Sequence, residues 1–135
     1  MSTKIIPRIG QFMTPLPHTI EFDQPLARAH ELMRMHHIRH LPVMQNGKLL
    51  GLVSIRDLHL IETLRDVDPD EVPVEDAMAE EPYTVSPEEP LDAVAAIMAD
   101  YKLGSAVVVE GGQVQGIFTT VDALRALLRL WRDTQ

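Results

Sequence analysis

Two stretches of the chain place apolar residues three and four positions apart. Leu26, Ala29, Leu32 and Met33 make one such face, and Leu91, Val94, Ile97 and Met98 make the other. This spacing predicts two amphipathic helices. Asp23 and Ser86, with Pro25, Pro87 and Pro90, supply their start signals. Short extended segments precede them at Pro17 to Ile20 and Pro82 to Val85. The apolar runs Leu41 to Met44 and Ala106 to Val109 predict strands. Gln45-Asn46-Gly47 and Glu110-Gly111-Gly112 are turns of the kind that joins a hairpin. Lys48 to Ser54 and Gln113 to Thr119 follow as returning strands, and Ile55 to Leu64 and Thr120 to Trp131 as helices. Each half reads strand, helix, strand, strand, helix.

The two halves are one pattern written twice, 65 positions apart and without gaps. Met13 falls on Met78, Pro17 on Pro82, Thr19 on Thr84, Gly51 on Gly116 and Asp57 on Asp122. Leu32/Ile97, Ile38/Leu103 and Ser54/Thr119 keep their class. A repeat that keeps polar as well as apolar positions repeats a unit of structure. Val74 to Met78 echoes Ile9 to Met13 at the same offset, so the segment before Pro17 leads into the first repeat. The repeats span 9–65 and 74–130, with 66–73 between them, acidic and Pro-interrupted, as a solvated linker.

Composition narrows the class. A chain of 135 residues can bury one real core, and with 4% aromatics that core is aliphatic. The absence of Cys excludes a disulfide scaffold and thiol chemistry. No signal peptide and no run of about 18 apolar residues is seen, so no membrane role is expected and a cytoplasmic location is the default. A net charge of −8 counts against nucleic-acid binding, which needs a basic face. Lys4, Arg8 and Lys48 are too scattered to make one.

Candidate chemistry lies at the start of the last helix of each half. Gly51-Leu52-Val53-Ser54-Ile55-Arg56-Asp57 and Gly116-Ile117-Phe118-Thr119-Thr120-Val121-Asp122 share Gly, two apolar residues, Ser/Thr, two more residues and Asp. Ser/Thr-x-x-acid is a capping box, which satisfies helix N–H groups without any ligand. The same geometry serves binding: helix N-termini suit phosphate, and a carboxylate beside them accepts the hydroxyls of a ribose diol. The glycine lets another group approach the backbone. Two copies favour binding over capping alone.

Met13-Thr14-Pro15, Thr19-Ile20, Leu32-Met33, Ile38-Arg39-His40-Leu41-Pro42-Val43 and Gly51 to Asp57 together resemble a CBS (cystathionine β-synthase) motif. Met78 to Asp122 resembles its partner. The resemblance implies a tandem pair, or Bateman module, of α+β class. Two β-α-β-β-α units would be related by a pseudo-two-fold axis, with sheets packed together and helices outside. Two clefts would result, of the kind that takes AMP, ADP, ATP or S-adenosylmethionine, with Mg²⁺ only beside a polyphosphate.

The resemblance also assigns roles. In the first cleft Asp57 would hold ribose hydroxyls and Ser54 would meet ribose or phosphate oxygens. His18, Thr19 and Ile20 would line the adenine edge. Ile38, Arg39, His40 and Pro42 would form the opposite wall and a phosphate contact. In the second cleft the matching residues are Asp122, Thr119, Tyr83, Thr84, Val85, Leu103, Gly104, Ser105 and Ala106. The halves differ in charge: Arg39, His40 and Arg56 face Gly104, Ser105 and Val121 at the same places. Phosphate needs charge-assisted donors, so the first repeat is expected to supply most of them.

Other readings find less support. His36, His37 and His40 cluster, but a helix end near His37 separates them and no H-E-x-x-H pattern is present. His36 and His37 suit a helix C-terminus instead. No nucleophile elbow surrounds Ser54 or Ser105, and Asp57 and Asp122 belong to separate clefts, so the chain is not expected to be an enzyme. Leu124, Leu127, Leu128, Leu130 and Trp131 give the last helix surplus apolar surface, which points to a homodimer. The expected function is a regulatory, energy-sensing module that binds an adenine nucleotide and signals in trans to an unidentified protein effector. The alternative is a ligand-free dimerisation or interaction scaffold.

Overall fold

The computed structural model describes residues 6–15, 17–64 and 66–135; Lys4, one of the scattered cations, and position 65, the end of the first repeat, lie outside them. In chain order the regular elements are β1 (Thr14–Pro15), β2 (Ile20–Glu21), α1 (Leu26–His36), β3 (His40–Gln45), β4 (Lys48–Ser54), α2 (Ile55–Glu62), β5 (Ala79–Glu80), β6 (Thr84–Val85), α3 (Leu91–Tyr101), β7 (Ser105–Glu110), β8 (Gln113–Thr119) and α4 (Thr120–Asp133). Single 3-10 turns at Ile9–Gln11 and Val74–Asp76 precede β1 and β5. Among the described residues no helix is long and apolar enough to cross a membrane.

The chain divides into two compact units, one of Pro17–Pro82 and one of Met1–Leu16 with Tyr83–Gln135. Each holds a four-stranded sheet and two helices, so the class is α+β. In the unit of 17–82 the strand order is β2-β3-β4-β5, with β2 parallel to β3 and the other pairs antiparallel. In the other unit the order is β1-β8-β7-β6, with β6 parallel to β7. The hairpins close through Asn46-Gly47 (φ 52° and 77°) and Gly111-Gly112 (φ 58° and 78°). Positive φ at both turn residues matches the right-handed strand twist.

Each unit has its own core, aliphatic as expected except for the fully buried Phe118 in one of them. Leu26, Ala29 and Met33 bring α1 onto Ile20, Leu41, Val43, Val53 and Leu58, all buried. Leu91, Val94 and Met98 bring α3 onto Val85, Ala106, Val108, Phe118 and Ala126. Spacing of three and four on the helices meets period-two alternation on the strands.

The sequence repeat and the compact units trade their leading segments. Residues 6–15 lead the first repeat in sequence but pack in the unit of 83–135: Ile9 is fully buried in its core, and β1 pairs with β8. Residues 66–82 pack in the unit of 17–82, with Val74 fully buried and β5 on β4. The segment 66–73 is therefore more than a solvated linker. Pro69 and Val72 carbonyls accept from the Ala27 and Leu26 N–H groups, both at 2.9 Å, and so cap α1. The Pro7 carbonyl accepts from Leu91 N–H at 2.8 Å and does the same for α3.

These backbone caps correct the helix start signals. Pro25 and Pro90 occupy the N-cap positions, and neither helix has a side-chain cap bond. Asp23 plays no capping part. The Ser86 hydroxyl accepts from Glu88 N–H at 3.2 Å inside a turn before α3. With carbonyls already at the orphan N–H groups, a side-chain cap is not required.

Candidate functional site

Hairpin strands β3 and β4 deliver His40 and Ser54 to one end of the sheet as direct register partners. Ser54 is the N-cap of α2, and Asp57 lies in its first turn. Asp57 N–H donates to Ser54 Oγ at 3.1 Å, and Ser54 N–H donates to Asp57 Oδ2 at 2.8 Å. Ile55 N–H donates to the Arg39 carbonyl at 2.9 Å, which fixes the chain before His40 against the start of α2. Ser54, Asp57, Arg39 and His40 thus converge on one helix start, and Arg56 adds an exposed guanidinium in the same turn. Neither Arg39 nor Arg56 is in an ion pair among the described residues.

His40 sits where burial and charge compete. Burial pushes its imidazole below the ordinary value, the Asp57 carboxylate pulls it partly back, and the Arg39 guanidinium pushes it further down. The ring is therefore mostly neutral near pH 7. It can donate one hydrogen bond to a phosphate, but it brings no full charge until it takes up a proton.

His18 stacks on His36 at the end of α1, with ring centroids 3.5 Å apart and planes 10° off parallel. One face of His18 is thus already covered. Thr19 is exposed. Ile20 is buried in the core, and Pro42 is fully buried in β3. Those two can offer a ligand backbone atoms at most. Ile38 is half-buried behind α1, its N–H donating to the Met33 carbonyl at 3.0 Å.

The matching end of the other unit has the same backbone and different chemistry. Ser105 and Thr119 are register partners, and Thr120 N–H donates to the Gly104 carbonyl at 3.2 Å. Thr119 caps α4: Asp122 N–H donates to Thr119 Oγ1 at 3.3 Å, and Thr119 N–H donates to Asp122 Oδ2 at 2.9 Å. Val85, Ser105 and Ala106 are buried, while Thr84 and Gly104 are exposed and Tyr83 and Leu103 half-buried. Burial, and then Glu89, push the Tyr83 hydroxyl above its ordinary value, so it stays neutral.

Both capping boxes are complete, so Ser54/Asp57 and Thr119/Asp122 act as caps whatever else they do. Gly51 and Gly116 also have a structural reason. A Cβ at Gly51 would lie 2.7 Å from the Ala79 carbonyl oxygen and 2.6 Å from Met78 Sδ. One at Gly116 would lie 2.6 Å from the Thr14 carbonyl oxygen and 2.7 Å from Met13 Sδ. The group that approaches each glycine is the neighbouring short strand, so these glycines say nothing about a ligand.

A groove of about 310 Å³ runs along α2 beside the turn at Val74–Asp76, lined by Asp57, Leu60, Ile61, Leu64 and Ala77 among others. It touches no other residue of the expected cleft, so the two do not coincide. Among the described residues no three His, Asp or Glu side chains are grouped to hold a metal ion.

Over residues 9–60 and 74–129 the chain matches the CBS domain family. The chain belongs to the CBS domain family. The inosine-5′-monophosphate dehydrogenase of Korarchaeum cryptofilum is 33% identical over 120 residues, which are 88% of this chain and 24% of that enzyme. The chain thus spans about a quarter of that relative. The structure of CBSX2 in complex with AMP has a TM-score of 0.77 at 27% identity, covering 91% of this chain and 97% of that one. The CBS domain pair of MJ0100, solved with methylthioadenosine and S-adenosyl-L-methionine, has a TM-score of 0.81 at 25% identity, covering 97% and 100%. Two CBS motifs in tandem thus lie on a fold shared with both of these ligand-bound structures.

Proposed function

We propose that the chain binds AMP, ADP or ATP at the start of α2 and passes the ligand state to a protein partner in trans. One observation carries the reading. Asp57 Oδ2 is engaged in the capping box, while Oδ1 takes no hydrogen bond among the described residues and Asp57 is only half-buried. An open carboxylate oxygen at a helix start shared with Ser54, Arg39 and His40, with Arg56 in the same turn and neither arginine in an ion pair among the described residues, suits a ribose followed by phosphate. The AMP-bound relative supports the ligand class. Mg²⁺ would enter only with ADP or ATP, on phosphate oxygens. The module would be non-catalytic and, without cysteine, at home in a reducing cytoplasm. Its output would be a population shift no larger than the ligand's differential affinity for two states.

A thermal-shift titration with AMP, ADP, ATP, S-adenosylmethionine and GMP tests this. A ligand at about 100 times its Kd stabilises the native state by about 2.7 kcal/mol, a clear rise in Tm. A selective rise with one adenine ligand is expected.

The scaffold reading has its own observation. Val121, Leu124, Leu128 and Trp131 lie at helical spacing on α4, and all are exposed. Their counterparts 65 positions earlier are Arg56, His59, Thr63 and Asp66. A homodimer through α4 would cover the apolar seam, and sedimentation equilibrium would return twice the 15.2 kDa chain mass. No nucleotide shift up to millimolar concentration, together with that dimer, would favour the scaffold.

A further inference from the structure

The two capping aspartates occupy the same repeat position but differ in what they have left to give. Asp122 Oδ1 accepts from Thr14 Oγ1 at 3.0 Å. Its Oδ2 accepts from Thr119 N–H at 2.9 Å and from Thr119 Oγ1 at 3.1 Å. The residue is 6% exposed. Both oxygens are engaged, and little surface remains. Among the described residues no hydroxyl donates to Asp57 Oδ1, and Asp57 is only half-buried.

The difference traces to one residue pair. Thr14 is on β1, registered with Ile117 of β8. Ala79 is on β5, registered with Leu52 of β4. These positions are 65 apart, as are Ile117 and Leu52, so in strand register Ala79 stands to the Asp57 strand and helix as Thr14 stands to those of Asp122. Ala79 has no hydroxyl to offer. The close seating of Thr14 on Gly116 holds β1 in place, so the Thr14 hydroxyl competes with any ligand hydroxyl as an intramolecular group at high effective concentration.

We propose that Thr14 is a specificity-determining lock: it closes Asp122 to a ribose diol and confines nucleotide to Asp57, one per chain. This rests on the nucleotide-binding reading above and adds which site is open and why. A hydrogen bond to a charged carboxylate is worth about ten- to a hundredfold in a competing equilibrium.

Isothermal titration of the full chain with AMP tests it. The wild type is expected to bind one AMP per chain. Thr14→Val keeps the branched shape and removes the hydroxyl, and it should bind two. Ala79→Thr should weaken the wild-type site about tenfold or more. Two equivalent sites in the wild type would overturn the lock and leave the nucleotide reading standing, as would one site in a natively folded Thr14→Val. No binding by the wild type would overturn both. Should Thr14→Val fail to fold, Ala79→Thr decides: unchanged AMP affinity would overturn the lock.

Discussion

His30 Nε2–H donates to Glu62 Oε1 at 2.6 Å, tying α1 to α2 within one unit. Both side chains are about a quarter exposed, at 27% and 23%. The counterparts 65 positions on are Ala95 and Leu127, so the other unit has no such tie. A part-buried bond of this kind contributes about 1 kcal/mol. Urea unfolding of Glu62→Ala, His30→Ala and the double variant should show a coupling of that order. Strict additivity of the two single losses would contradict it.

Helices α1 and α3 both end on a non-glycine residue in the left-handed region, His37 at φ 54° and Lys102 at φ 56°. An L side chain there costs about 1–2 kcal/mol, and glycine's extra chain entropy returns about half of that gain. His37→Gly and Lys102→Gly should each stabilise the fold by a few tenths to about 1 kcal/mol, seen as a higher Tm. A lower Tm would show that the side chains repay the strain.

Gly51→Ala and Gly116→Ala drive a methyl against backbone oxygens of β5 and β1, which flexible side-chain motion cannot relieve. Each should cost about 1–3 kcal/mol, as overpacking does. Amide hydrogen exchange should also show lost protection at the short strand concerned. Native-like protection in both variants would contradict the seating described above.

His40 gives the stability a pH dependence of known sign. Its folded-state value lies below 6.5 because burial outweighs the pull of Asp57. Between that lowered value and about 6.5 the unfolded chain holds more protons than the folded one, so stability rises with pH. The contribution is complete above about 6.5 and is lost as pH falls below it. Tm should fall more steeply from pH 7 to pH 5.5 in the wild type than in His40→Gln. A phosphate beside His40 would raise its proton affinity, so AMP should bind more tightly at pH 6 than at pH 7.5.

Much of this was legible in the sequence because it is local. Asn46-Gly47 and Gly111-Gly112 mark the hairpins, and Leu26/Ala29/Met33 marks a buried helical face. Both signals act within a few residues. The two-residue strands β1 and β5 are too short to show any period, and their exchange between units pairs residues roughly a hundred positions apart for β1. The α1 and α3 caps are carbonyls of segments distant in sequence, Val72 and Pro7, which the start signals at Asp23 and Ser86 do not reveal. The stack of His18 on His36 and the bond from Thr14 to Asp122 left no motif. The latter was signalled only by Thr14 standing where the other repeat has Ala79. At the site, residue types pointed to the capping pairs, while burial of Ile20, Pro42, Val85 and Ala106 shows which neighbours can offer only backbone.

On the proposed reading, the open carboxylate of Asp57 holds the ribose of an adenine nucleotide. Equilibrium binding of AMP to wild type and Asp57→Asn tests it most directly, since the amide oxygen can still accept from Ser54 N–H while the charge is lost. The expected result is an affinity at least about tenfold weaker in Asp57→Asn, with a Tm within a few degrees of wild type. Equal AMP affinity in the two proteins would contradict the account.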